Sequence, residues 1–162
     1  MKNIHDTNKS KRIQVEVIIF RKTKGKTEYL LLKRIPTRGG FWQPVTGGLE
    51  KGETLLEAAR REVKEETGIE NITRLIENVH FFTFDDHPTL EKEYVFAAEI
   101  DSKEKIIFDK NIYPEHDKHR WCTLKDALAL LKWPENKNAL IKLSKILEKK
   151  HMLSKKIRKE TV

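Results

Sequence analysis

The sequence predicts an α/β protein, with strands and amphipathic helices built on one core. Three observations carry that expectation. Two apolar runs, residues 13–20 and 28–33, flank a polar turn around Gly25, as two paired strands would. Residues 55–67 lie between a helix start signal and a glycine stop. From Asn136 onward Leu140, Ile141, Leu143, Ile146 and Leu147 recur at helical spacing.

Taken in order, residues 13–20 alternate and then become wholly apolar, the pattern of a strand covered on both faces. Residues 28–33 (EYLLLK) read as the returning strand of a hairpin, and residues 36–40 as a loop leading into Phe41-Trp42-Gln43-Pro44-Val45. Thr54 is a good N-cap, Glu57 completes a capping box, and Gly68 ends the helix. Leu56, Ala59 and Val63 share a side of that helix and should pack on a sheet, with Lys64 and Glu57 toward solvent. Ala58 and Ala59 leave space beside the acidic arc. Residues 72–84 should give one or two strands, residues 85–88 a turn, and residues 93–100 another strand. Arg120-Trp121-Cys122 reads as a short strand, Thr123 as the cap of a helix over 124–131, and Trp133-Pro134 as a break.

The helix at 55–67 also carries the chemistry. Glu62, Glu65 and Glu66 fall within an arc of roughly 100°. Like charges so placed repel. A solvated acidic face is the plain explanation, and a divalent cation is the sharper one. Mg²⁺ prefers hard carboxylate oxygens and leaves positions open for substrate phosphates. Arg61 follows Glu53 by eight residues, and a guanidinium there would clamp Glu53 bidentately, fixing the turn against the helix.

Gly47, five residues, Glu53, seven residues, then Arg61-Glu62-Val63-Lys64-Glu65-Glu66-Thr67-Gly68-Ile69 resembles the Nudix box at every defined position. That family hydrolyses nucleoside diphosphates linked to another group X, using Mg²⁺ or Mn²⁺. The resemblance implies an α/β/α sandwich with the box as loop, helix and loop beside a mixed sheet. It further implies that Glu62 and Glu66 are metal ligands and that Glu65 is a ligand or a base. The words around the box are similar to those of bacterial dihydroneopterin triphosphate pyrophosphatases: Phe41-Trp42-Gln43 before Val45-Thr46-Gly47, Leu32-Lys33-Arg34, Glu115-His116 with Trp121, and Trp133 with Asn136. That likeness runs over roughly residues 11–147.

From it follow the expected site residues. Glu115 is a further metal ligand or base, with His116 and His119 behind it. Arg34 and Thr46 contact the triphosphate, helped by Lys11 or Arg12, in a substrate site that takes in Gly47, Gly48 and Trp42. Catalysis rests on Glu65, Glu115, Arg61 and Glu53. Phe41, Trp42, Phe82 and Phe84 are the aromatic candidates for holding a planar base. Two departures stand out: residues 85–92 lack the Arg-rich loop of that branch, and Gly48 replaces its serine. Substrates in view are a nucleoside or pterin triphosphate, then a dinucleoside polyphosphate or a triphosphorylated RNA end, and last a nucleotide held without turnover.

Composition bounds the rest. A chain of 162 residues suits one domain, residues 1–162, ending in a basic helix and tail at about 136–162. One cysteine, Cys122, excludes an internal disulfide, and no Cys/His cluster suggests zinc. The N-terminal residues contain no uninterrupted apolar stretch and no eighteen apolar residues run together, so a cytoplasmic protein with no membrane partner is expected. Of the net charge of +8, residues 141–162 carry +6. This stretch has no interleaved aromatics for stacking bases, so no specific nucleic acid is expected as a partner, and the chain is a monomer or homodimer.

Overall fold

A computed structural model describes residues 10–86, 88–108 and 115–160. His87, within the expected turn, Pro114, ahead of Glu115, the N-terminal nine residues and the last two lie outside the described residues. Strands β1 (Ser10–Thr23), β2 (Lys26–Arg34), β3 (Trp42–Gln43), β4 (Val45–Gly48), β5 (Arg74–Asp86), β6 (Thr89–Glu99) and β7 (His116–Cys122) join helices α1 (Leu55–Thr67), α2 (Leu124–Leu130) and α3 (Pro134–Glu160). The described strands form one mixed sheet of order β3-β2-β1-β6-β5, with β4 on β1 and β7 on β2. β1 and β6 run parallel, and the other pairings are antiparallel.

Alternation along β1 divides the core between two faces. Val15, Val17 and Ile19 meet Ala58, Ala59 and Val63 of α1 on one side. Ile18 and Phe20 meet Ala127 of α2 and Ala139, Leu140 and Leu143 of α3 on the other. Sheet between helices is the α/β/α arrangement. Fully buried side chains such as Phe20 and Leu143 each contribute about 1.5–3 kcal/mol by leaving water.

The chain splits around the site because β1 has two partners along one edge. Its far half pairs with β2 at Phe20↔Tyr29, and its near half pairs with β4 at Val15↔Gly47. β2 continues past β1 to Arg34, pairing with β3 at Leu32↔Gln43 and with β7 through His116. A cleft therefore opens between β4 and the end of β2, and α1 lies along it.

Several expectations are corrected. Leu56 is 37 % exposed while Ala58 is fully buried, because the helix turns Ala58, Ala59 and Val63 onto the sheet. The alanines thus fill the core, and they do not flank open space. The expected break separates α2 from α3, but α3 starts at Pro134, two residues before the expected Asn136, since proline at the first helical position gives up an N–H that has no partner there anyway. α2 stops at Leu130 because Leu131 turns extended and bridges to Trp42. β5 and β6 reach Asp86 and start at Thr89, which tightens the expected turn, and β7 begins four residues before Arg120. Residues 36–38 close into a 3-10 turn within the expected loop. Among the described residues no helix is long and apolar enough to cross a membrane.

Candidate active site

Helix α1 is fixed before its carboxylates are. The Thr54 hydroxyl accepts from the Glu57 amide at 3.2 Å, and the Glu57 carboxylate accepts from the Thr54 amide at 2.8 Å. Such caps are worth roughly 1 kcal/mol. At the other end Gly68 takes φ +73° and donates its N–H to the Lys64 carbonyl at 2.8 Å. A side chain there would be strained in the left-handed region and would press on Ile107.

Arg61 ties the turn to the helix. Its Nε and Nη2 donate to the two oxygens of Glu53 at 2.8 and 3.0 Å. Nη2 also donates to the Gly48 carbonyl at 2.8 Å, and Nη1 reaches Glu62 at 2.6 Å and Glu65 at 3.2 Å. The Arg61 hydrogen bond holds Glu53 below the usual carboxylate range. Glu53, Glu62 and Arg61 thus form one network, with Glu65 on its solvent side at 53 % side-chain exposure.

Glu62 and Glu66 are each 8 % exposed. Burial pushes the Glu66 carboxyl well above its ordinary value, and the nearby charges of Glu62 and Glu115 push the same way, against the Thr46 amide and Arg34. Glu62 is raised by burial, opposed by Arg61. Glu66 Oε2 is buried without a hydrogen-bond partner. Gly47 makes the close approach possible, since a Cβ there would overlap the Glu62 carboxyl.

Across the cleft, Glu115 bridges two guanidiniums: Arg34 Nη2 at 3.4 Å and Arg38 Nη1 at 3.0 Å. The Ile35 amide donates to the Glu115 carbonyl at 2.9 Å, which docks this segment on the end of β2. His116, 3 % exposed, is pushed down to about 4 by burial and then by Arg34 and Arg38, so its ring is neutral at neutral pH. Gln43 Nε2 contacts His116 Nε2 at 3.3 Å and Thr46 Oγ1 at 3.2 Å. An amide N–H there makes His116 Nε2 the acceptor, and the ring proton is assigned from this network to Nδ1. Nδ1 lies 3.8 Å from Glu66 Oε2, too far for a hydrogen bond; with the ring neutral the two do not form an ion pair.

The structure therefore gathers Glu53, Arg61, Glu62, Glu65, Glu66, Gly47, Gly48, Thr46, Arg34 and Glu115 about one cleft. Arg12 reaches it too, because a Cβ on Gly48 would come within 3.4 Å of its Nη2. Trp42, expected as part of the substrate site and as an aromatic wall for a planar base, is half-buried against the α3-side core, on the face of its short strand opposite Gln43. Exposed His119 packs its ring against Phe108, 5.6 Å between centroids, on the α1 face of the sheet. Arg38 and Gln43 were not expected. Gln43 stood inside a word already suspected, while nothing local marks Arg38, which the 3-10 turn delivers to Glu115.

Among the described residues no three acidic, imidazole or thiol groups are already drawn around one point. Arg61 engages Glu62 and Glu65 instead. The donor set still fits a hard divalent ion: two buried carboxyls that repel, and a buried Glu66 oxygen left without a hydrogen-bond partner.

A family model described as the NUDIX domain matches residues 11–143. An octanoyltransferase of Myxococcus xanthus is 34 % identical over 119 residues, a match that takes in 72 % of this chain and only 32 % of that protein. The asymmetrical bis(5'-nucleosyl)-tetraphosphatase of Caenorhabditis elegans is 32 % identical over 137 residues, 81 % of this chain and 93 % of the relative. The Ap4A hydrolase of that organism, solved as a binary complex, superposes with a TM-score of 0.72 at 26 % identity, covering 85 % and 98 % of the two chains. Dihydroneopterin triphosphate diphosphatase of Escherichia coli is 32 % identical over 113 residues, 62 % and 72 % of the chains. With this fold and this box, the chain belongs to the Nudix family of hydrolases, which act on phosphoanhydrides.

Proposed function

We propose that this Nudix hydrolase is a Mg²⁺- or Mn²⁺-dependent pyrophosphohydrolase that cleaves a phosphoanhydride of a nucleoside or pterin triphosphate. The observation that carries the reading is the buried Glu62–Glu66 pair, with its orphaned oxygen, beside the Glu115 bridge to Arg34 and Arg38. Acidic groups for a cation and guanidiniums for phosphate oxygens stand side by side. Glu62 and Glu66 hold the metal, joined by Glu65 or Glu115. A bound divalent ion screens the phosphates and lowers the pKa of a water.

The chain's own groups do the rest. Arg34 and Arg38 bind and orient the phosphates and offset charge on the departing group. Thr46, Gly47 and Gly48 line the approach through their backbone. A carboxylate, Glu65 or Glu115, takes the proton of the attacking water. Arg61 and Glu53 hold the helix and turn in register. The residues act within a single domain spanning 1–162, cytoplasmic, as a monomer or homodimer.

A dinucleoside polyphosphate is the second reading, favoured by the near full-length match to the Caenorhabditis elegans tetraphosphatase. A triphosphorylated RNA end belongs with it, since the terminal helix is basic. Retention without turnover fits less well, because Glu53, Glu62, Glu65 and Glu66 are all present. Phosphate and pyrophosphate release across nucleoside, pterin and dinucleoside polyphosphates with Mg²⁺ tests the reading. Pyrophosphate from the triphosphates supports it, and turnover confined to dinucleoside polyphosphates overturns it in favour of the second.

A further inference from the structure

The positive charge of the terminal helix is not spread evenly around it. α3 packs on the sheet through Leu140 and Leu143, and Leu147 extends that contact by a turn. Continued at helical spacing, the same stripe carries Lys150, His151 and Ser154 where further apolar residues would be expected. Apolar residues of these turns point elsewhere: Met152, Leu153 and Ile157 are 71, 52 and 64 % exposed. Lysines kept only for solubility have no need of the sheet-facing stripe.

The sheet meets this stripe with more positive charge. Side chains alternate along β1, so Lys22 follows Ile18 and Phe20 onto the α3 side. Arg74 likewise precedes Ile76 of that side by two residues on β5. β1 ends at Thr23, β6 ends at Glu99 and β5 starts at Arg74, which puts both cations at one end of the sheet. Between them and α3 lies a cavity of about 370 Å³, bounded on the helix by Leu147, Lys150, His151, Ser154 and Lys155. That size suits a small ligand.

No carboxylate lines this cavity. Arg74 Nη2 is held by Glu99 at 2.8 Å, while Arg74 Nε is buried with no hydrogen-bond partner. The Ser154 hydroxyl is spent on the Lys150 carbonyl at 3.0 Å. Lys22, Lys150 and Lys155 form no ion pair among the described residues. Ammonium groups gathered around one concavity repel each other and concentrate anions there.

The cavity is remote from the hydrolytic cleft. Val15 pairs with Gly47 at the cleft, and Lys22 stands seven residues further along β1, about 23 Å away at the rise of a strand.

We propose that this cavity is a second, phosphate-binding site, and that its ligand is a small oligophosphate: inorganic pyrophosphate or the phosphate chain of a nucleotide. A phosphomonoester group carries about −1.5 to −2 charges at neutral pH, so two phosphate groups balance the lining. Lysine takes phosphate oxygens as a point charge, and here Lys150 and Lys155 approach from the helix while Lys22 approaches from the strand. The bound anion fastens the last turns of α3 to the end of the sheet. A concave site of this volume favours a compact anion over a polymer backbone, which a flat basic stripe would suit.

The test titrates inorganic pyrophosphate, and separately ADP, into the full chain without divalent metal, followed by backbone amide shifts and calorimetry. Saturable shifts are expected at Lys22, Arg74 and residues 150–155. The Kd should rise about tenfold or more in the double variant Lys150→Gln, Lys155→Gln and by less than about twofold in Arg34→Gln, whose side chain is in the distant cleft. Both lysines are exposed, so the double variant should keep the wild-type melt; should it not, the position of the shifts in the wild type decides. Tighter binding of pyrophosphate identifies a free anion as the ligand, and tighter binding of ADP a nucleotide. Shifts confined to the cleft, no saturation, or equal displacement by sulfate at matched ionic strength overturns the proposal. A 5′-hydroxyl RNA oligonucleotide that binds through the same lysines and resists displacement by pyrophosphate overturns it too, in favour of an RNA surface. None of these outcomes bears on the hydrolase reading, which is decided at the cleft.

Discussion

Arg61 grips Glu53 through two hydrogen bonds, Nε to Oε1 at 2.8 Å and Nη2 to Oε2 at 3.0 Å, and the same guanidinium reaches the Gly48 carbonyl and Glu62. One planar group thereby sets the distance between turn, strand and helix. Lysine cannot reproduce a fork with five donors. Arg61→Lys should lower kcat/KM by about 10- to 100-fold and stability by about 1.5–3 kcal/mol, the scale of charge-assisted hydrogen bonds. Steady-state kinetics with a denaturant melt checks this, and an unchanged rate would remove Arg61 from the account.

Glu115 has a different balance. Its side chain is 36 % exposed and its partners Arg34 and Arg38 line the same cleft. Glu115→Gln should cut turnover by about 100-fold if the carboxylate is a ligand or base. Stability should move by no more than about 0.5 kcal/mol, as for other partly exposed substitutions. A large loss of stability with turnover retained would mark Glu115 as a structural tie for the two arginines.

Gly47 is required by its neighbour. A methyl group there would overlap the Glu62 carboxyl, so Gly47→Ala must displace either strand β4 or Glu62. Loss of turnover and weakened Mg²⁺ binding are expected while the rest of the core persists. Circular dichroism beside a Mg²⁺ titration would show it. Normal metal affinity in this variant would contradict the placement of Glu62.

The pH dependence follows from the sign of the carboxyl shifts. Burial raises Glu62 and Glu66, so the folded protein holds protons that the unfolded chain has already released. Their unfavourable effect is absent below the ordinary carboxylate range and grows as pH rises through the raised values. Metal-free protein should therefore lose stability across that window, and Mg²⁺ should restore more of it at pH 8 than at pH 5. Glu66→Gln should flatten the metal-free profile and abolish the Mg²⁺ effect. Thermal melts at several pH values with and without Mg²⁺ provide the measurement.

Much of this architecture was legible in the chain because its signals are local. The Thr54–Glu57 capping box, the Gly68 stop and the apolar run of β1 each need only a few neighbouring residues. The spacing of Glu53, Arg61, Glu62 and Glu66 likewise displayed their chemistry, since one helix carries three of them and the turn before it the fourth. Pairing across the sheet was not legible. Arg38 meets Glu115 only because a 3-10 turn and the β2–β7 pairing bring distant segments together. Leu56 misled because its wheel position borders the buried face, which Ala58, Ala59 and Val63 occupy instead.

The metal requirement is tested most directly by calorimetric titration of Mg²⁺ or Mn²⁺ into the wild-type protein and into Glu62→Gln and Glu66→Gln. The wild type should take up the ion with a clear heat, and either variant should lose it while keeping a cooperative melt. Absence of uptake by the wild type, or undiminished uptake by both variants, would contradict the role assigned to these two carboxylates.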